Sequence, residues 1–230
     1  MIINYWGEGH CYPAIDEEVQ VWLARLDEQR AAESWELLSD EEKSRAARLC
    51  DPLYSQRFAD AHNILRRLLA TYLGQDPCKL AFRLGPQGKP ALANDNSEMV
   101  SFNLSHSGDM AAFAFARGSE VGIDIECIHP LDDLEAMAGM VLSPAEWAEL
   151  KDEPANEKLA HFFALWTRKE AVLKMTGSGL TISMKTVEFV NFKSTSETSE
   201  ILLTDGRHCK VNSLPLDEGY IGAVATALEV

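Results

Sequence analysis

The 230-residue chain reads as an α+β protein with antiparallel sheets. Apolar runs with a two-residue period recur along it, and turns rather than regularly alternating helices separate most of them, which argues against a doubly wound parallel fold. Two long helical patterns each stop at a glycine and lead into a strand: ILRRLLATYLG into KLAFRLG, and ALWTRKEAVLKMTG into TVEFV. By itself this echo is compatible with chance. The length allows a substantial core, built as one domain or as two of about 110 residues each.

In chain order the pattern predicts a strand near 2–6, helices near 16–37, 40–50 and 53–73, and strands near 79–84, 100–104, 110–117 and 121–126. Helices follow near 144–151 and 156–176, then strands near 185–192, 199–204, 207–213 and 219–227. Ser39-x-x-Glu42 and Ser143-Pro144-x-Glu146 are capping-box starts, the second with proline at the first helical position. GPQGK at 85–89 reads as a turn, KDEPANEK at 151–158 as a polar linker, and NFKSTSETSE at 191–200 as an exposed hairpin connection.

The formal net charge of -15 argues against nonspecific nucleic-acid binding. One stretch runs against the trend: Lys43, Arg45, Arg48, Arg57, Arg66 and Arg67 face only Asp51 and Asp60, as either a cationic surface or the solvated faces of two amphipathic helices. The five cysteines are scattered and form no C-x-x-C pair, so neither zinc nor a disulfide framework is expected. With no signal peptide and no apolar run of membrane-spanning length, a cytoplasmic protein is expected.

Chemistry concentrates in two segments, VGIDIE at 121–126 and WTRKEAVLKMTG at 166–177. On a strand, Asp124 and Glu126 share one face while Ile123 and Ile125 point into the core. On a helix, Trp166, Glu170 and Lys174 share one side. Three hard oxygen donors without imidazole or thiolate neighbours suit Mg2+ better than zinc. Taken singly, an Asp-Ile-Glu strand also fits a solvated sheet edge, and a Glu/Lys pair four apart also fits a helix surface, worth ~0.3 kcal/mol. A third segment, FNLSHSG at 102–108, reads as a strand breaking into hydroxyls and an imidazole that can bind phosphate oxygens. Ser105 and His106 do not read as a hydrolase pair, because adjacent residues on a strand point apart and no G-x-S-x-G elbow occurs.

With EEKSR (41–45), GKP (88–90), FNLSHS (102–107), GIDIE (122–126) and WTRKEAVLKMTGSGL (166–180), the chain resembles the Sfp-type 4'-phosphopantetheinyl transferases, in their W-KEA branch. The resemblance implies two similar halves in pseudo-twofold relation, 1–117 and 118–230, each an antiparallel sheet packed with helices, in a monomer. It implies transfer of phosphopantetheine from coenzyme A to a serine of an acyl or peptidyl carrier protein, with Mg2+, releasing adenosine 3',5'-bisphosphate. Asp124, Glu126 and Glu170 would be the magnesium ligands, with Glu170 also taking the serine proton, and Lys174 would bind the pantetheine-side phosphate. Lys43 and Arg45, with Arg57 added, would face the nucleotide end of coenzyme A. Gly88, Lys89 and Pro90 would border the nucleotide, and Asn103, Ser105 and His106 belong to the motif of phosphate contacts. The resemblance also places carrier docking near 140–180, with Met137, Met140, Val141, Leu142 and Trp147 as apolar candidates. Two alternatives stand beside this reading: a Mg2+-dependent nucleotide pyrophosphate hydrolase, and a noncatalytic module that binds coenzyme A or a carrier.

Overall fold

The computed structural model describes residues 1–7, 15, 18–26, 35–93, 100–189 and 198–228, with backbone alone for Asn156 and Leu180. Two four-stranded sheets form its frame. The first runs β1 (Ile2–Tyr5), β2 (Gln20–Arg25), β6 (Met110–Ala116), β5 (Ser101–Ser107), antiparallel except for the β1–β2 pair. The second runs β7 (Val121–Cys127), β10 (Tyr220–Leu228), β9 (His208–Ser213), β8 (Thr198–Leu202), antiparallel throughout. A small hairpin, β3 (Phe82–Leu84) with β4 (Pro90–Leu92), closes the turn at Gly88.

Five α-helices accompany them among the described residues: α1 (Asp40–Ala46), α2 (Pro52–Leu73), α3 (Leu134–Val141), α4 (Pro144–Leu150) and α5 (Ala155–Thr176). The two long helices end alike, at Gly74 and Gly177 in left-handed conformation, φ 62° and 68°. Each long helix is preceded by a strand, β2 or β7, and followed by a hairpin whose last strand, β6 or β10, pairs with that same strand.

Three apolar layers result. Trp22, Phe113 and Phe115 pack with Ile64, Leu65 and Leu68 of α2. Between the sheets lie Val21, Leu23, Ala112, Ala114, Ile123, Ile125 and Val224. The third layer holds Phe162, Leu165 and Val172 of α5 against Ala223, Ala225 and Val211. Strand alternation divides β6 between two layers, Ala111, Phe113 and Phe115 towards α2 and Met110, Ala112, Ala114 and Ala116 towards the second sheet.

The helix expected over 16–37 is corrected: 20–25 form β2, 40 onwards begins α1, and 8–14, 16–17 and 27–34 lie outside the described residues. β2 is buried on both faces, Trp22 and Ala24 in one layer and Val21 and Leu23 in the next. A doubly buried strand is apolar without alternation, so its period cannot separate it from a helix. FNLSHS does not break at Ser105 either; β5 continues to Ser107 and turns at Gly108, φ 58°. The strand expected over 185–192 begins as a 3-10 turn at Met184–Thr186, and its part from 190 on lies outside the described residues, as do 191–197 of the expected hairpin connection. The linker at 151–158 yields to α5 from Ala155, and α3 was not anticipated.

Both capping boxes form, and both glutamates do more than cap. Glu42 accepts from the Ser39 amide and pairs with His62 and the buried Arg66. Glu146 accepts from the Ser143 and Phe189 amides and pairs at 2.7 Å with the fully buried Lys169. These bonds lash a short helix to each long one.

Candidate active site

The site is built where α5 lies on β7. A Cβ at Gly122 would overlap the backbone of Ala171 and Met175, so helix and strand meet at main-chain distance. Ile123 and Ile125 enter the layer between the sheets, which turns Asp124 and Glu126 the other way, towards α5. Lys174 Nζ donates to Asp124 Oδ1 at 2.7 Å and to Ser105 Oγ at 3.0 Å. Asp124 is 4% exposed, and its Oδ2 is buried without a hydrogen-bond partner.

The three carboxylates feel one another. Burial raises the Asp124 pKa against the pull of Lys174 and Ser105. Burial also raises that of Glu126, opposed by the Ser107 bond and reinforced by Asp124. For Glu170, burial comes first, then the Asp124 charge, with Lys174 opposing and Glu126 adding. Desolvated like charges that raise one another's pKa are relieved by a cation.

β5 joins this cluster to the N-terminal half through side chains. Asn103 Oδ1 accepts from the Ile123 amide at 3.0 Å, Ser105 Oγ donates to Asp124 at 3.0 Å, and Ser107 Oγ donates to Glu126 at 2.7 Å. The other face of β5 carries Phe102, in the α2 layer, and His106, which remains solvent-accessible. Crowding around the imidazole lowers the His106 pKa, and the charges of His62, Lys174, Arg45 and Arg57 lower it further. These cations therefore converge on one end of β5. Phe58 supports them: its ring stacks on His62 at 4.1 Å, and the Arg45 guanidinium lies 5.4 Å above it.

The remaining expected residues fall around this core. Lys43 is half-buried on α1, two residues before Arg45. Gly88 takes φ 84° in the turn ahead of Pro90, the first residue of β4. Lys89 Nζ donates to Glu120 at 2.7 Å, to Met175 O at 2.9 Å and to Val121 O at 3.2 Å. All three of its hydrogens bind the start of β7 and the end of α5, so in this structure it fastens the turn to the C-terminal half.

The donor set fits a divalent cation. It is all oxygen, one oxygen is a buried orphan, and the neighbouring carboxylates are desolvated. As placed, no three His, Cys, Asp or Glu side chains among the described residues stand close enough to hold one ion. The Lys174 ammonium holds Asp124 instead.

Sequence reasoning missed Gly122, Ser107, His62 and Lys169. A glycine inside an alternating strand signals close backbone approach, and Ser107 shares the face of Ser105 by the two-residue period, so both left a legible trace. Lys169 lies within the W-KEA motif, but its role, like that of His62, depends on a glutamate distant in sequence. Of the docking candidates, Val141 and Leu142 are buried, Met137 and Trp147 pack against the core, and Met140 is 64% exposed.

Residues 120–225 match the model of the 4'-phosphopantetheinyl transferase superfamily, and 22–117 match that of the 4'-phosphopantetheinyl transferase N-terminal region. The chain is 34% identical to the 4'-phosphopantetheinyl transferase HetI of a Nostoc strain, over 93% of this chain and 89% of that protein. It is 31% identical to the transferase psf-1 of Bacillus pumilus, over 90% of this chain and 88% of that one. A shorter match, 45% identical, covers 40% of this chain and 47% of AcpT of Salmonella typhimurium. The chain belongs to the 4'-phosphopantetheinyl transferase family and is an enzyme of that kind. This displaces both alternatives, the pyrophosphate hydrolase and the noncatalytic module. No helix among the described residues is long and apolar enough to cross a membrane.

Proposed function

We propose that the enzyme takes the 4'-phosphopantetheine arm from coenzyme A and places it on a serine of an acyl or peptidyl carrier protein, releasing adenosine 3',5'-bisphosphate. The observation that carries this reading is the junction at β5, where Ser105 bonds both Asp124 and Lys174 on one face while His106 stands on the other, near the charges of Arg45 and Arg57. A pyrophosphate laid across that junction meets cations at its nucleotide end and acids at its reacting end.

The serine oxygen forms a bond to the pantetheine-side phosphorus as the bond to the bridging oxygen breaks. Glu170 takes the serine proton, directly or through a water. Lys174 leaves Asp124 for the pantetheine-side phosphate. Ser105 and His106 hold phosphate oxygens, with Asn103 keeping β5 in register, and Lys43, Arg45 and Arg57 grip the nucleotide end. Gly88, Lys89 and Pro90 shape the border of the nucleotide site. Asp124, Glu126 and Glu170 would hold Mg2+, which when bound neutralises charge on the phosphates.

The finer architecture belongs to the same proposal: two halves, 1–117 and 118–230, in pseudo-twofold relation within a cytoplasmic monomer. The common strand, helix and hairpin order supports it. So does a shared buried cation: Arg66 and Lys169 each stand eight residues before the terminal glycine, and each bonds a capping-box glutamate and two carbonyls beyond the helix.

The test is incubation with coenzyme A, Mg2+ and a panel of apo carrier domains, followed by mass spectrometry. The expected result is one added phosphopantetheine per carrier, lost on chelation. No gain on any carrier despite coenzyme A binding would overturn the reading, and near-normal turnover by Glu170→Gln at saturating Mg2+ would remove Glu170 as base.

A further inference from the structure

We infer that Ser107 is a positioning residue that sets the Glu126 carboxylate for a divalent cation from the opposite half of the molecule. The inference rests on the proposed reading of Glu126 as a cation ligand. Ser107 ends β5, and its Oγ donates to Glu126 Oε2 at 2.7 Å while accepting from the Cys127 amide at 3.1 Å. Donor and acceptor roles are both taken, so the direction of the hydroxyl hydrogen is settled by the structure.

The hydroxyl sits on a braced support. The turn after it, Gly108-Asp109, is gripped by the C-terminal half: the Asp109 amide donates to Tyr220 Oη at 3.2 Å, and that hydroxyl donates to the Asp109 carboxylate. Arg25 clamps Asp109 at 2.9 and 3.0 Å and reaches Asp217 at 2.8 Å. Gly108 adopts φ 58°, and a Cβ there would strike the Tyr220 hydroxyl, so the turn closes this tightly only with glycine. Glu126 is half-buried, and Ser107 is its one hydrogen-bond donor among the described contacts. β5 and β7 belong to different sheets, so Asn103, Ser105 and Ser107, with the apolar layer between the sheets, set their relative position in place of a main-chain ladder.

Outer partners of ligating carboxylates typically change metal affinity 10–100-fold when removed. Mn2+ binding to the full chain, followed by electron paramagnetic resonance, supplies a readout independent of turnover. Ser107→Ala should bind Mn2+ about 10-fold more weakly, and Ser107→Thr should recover most of the loss. In parallel the Mg2+ needed for half-maximal activity should rise, while KM for coenzyme A at saturating Mg2+ stays unchanged. Ser107→Thr against Ser107→Val repeats the comparison at equal volume should the alanine variant fail to fold. Equal Mn2+ affinity with and without the hydroxyl, while Glu126→Gln binds weakly, would overturn the role of Ser107 alone. If Glu126→Gln also bound Mn2+ normally, the ligand reading beneath it would fall as well.

Discussion

Around Arg66 and Lys169 the two long helices are built alike, yet one half carries the acids and the other an aromatic filling. After the buried cation comes Arg67 in α2 and Glu170 in α5; four residues later come Thr71 and Lys174. Beneath α2, β2 presents Trp22, whose indole donates to the Tyr72 hydroxyl at 2.6 Å, while Tyr72 packs on Phe115. Beneath α5, β7 presents Gly122 and lets the helix backbone touch the strand. An indole spaces helix from strand and fills the gap with apolar surface. A glycine closes the gap, so that a lysine on the helix reaches an aspartate two residues along the strand. The pairing of Lys174 with Asp124 therefore depends on the close approach that Gly122 allows.

The comparison breaks first on activity. Asp124→Asn should lower transfer about 1000-fold, roughly 4 kcal/mol of barrier, measured as steady-state transfer. Arg67→Gln, on the counterpart helix, should stay within about twofold. A large loss from Arg67→Gln would mean that this position of α2, the counterpart of Glu170, takes part in the reaction.

The likeness of the halves is tested by stability. Lys169→Met and Arg66→Met should each cost about 3 kcal/mol or more in chemical denaturation, because Glu146 or Glu42 is left buried without its cation. A cost from one alone would end the equivalence. Glu42 sharpens the same point through pH. Burial pushes its carboxyl up, but the bonds from His62, the Ser39 amide and Arg66 outweigh it and hold the pKa at about 2 against an ordinary 4.5. A lowered pKa stabilises the fold above the unfolded value, so about 3 kcal/mol is present above pH 4.5 and is lost as pH falls towards 2. Glu42→Gln should flatten that part of the stability profile.

Gly122→Ala should cost about 2 kcal/mol as the helix is pushed from the strand, with a loss of transfer out of proportion to the loss of stability. The smallest effect is expected from Tyr72→Phe. It removes the hydrogen bond to Trp22 for about 1 kcal/mol of stability and leaves transfer unchanged, since the Trp22–Tyr72 contact belongs to the packing layer beneath α2.

Much of this was legible because it is local. The two-residue period placed Ile123 and Ile125 in the core with Asp124 turned away, Ser39/Glu42 and Ser143/Glu146 announced helix starts, and glycines ended both long helices. The largest error has a physical cause. β2 is buried on both faces and so lost the alternation that would have distinguished it from a helix. Lys89 shows another side: its motif implies a place at the border of the nucleotide, and only the structure shows that acceptors in β7, just ahead of it and at the end of α5 bind its ammonium.

By itself, then, the sequence determined the family motifs, the α+β class, the identity of the candidate acids and cations, and the face of strand or helix each would occupy. Those follow from periodicity and residue chemistry within a few neighbours. Tertiary structure decided that α5 lies against Gly122, that Lys174 rests on Asp124, that β5 brings His106 near the charges of Arg45 and Arg57 while its other face binds the acids, and that Glu42 and Glu146 hold buried cations. Each of these is a distance between segments far apart in the chain, fixed by how closely the layers pack, and periodicity carries no information about that distance.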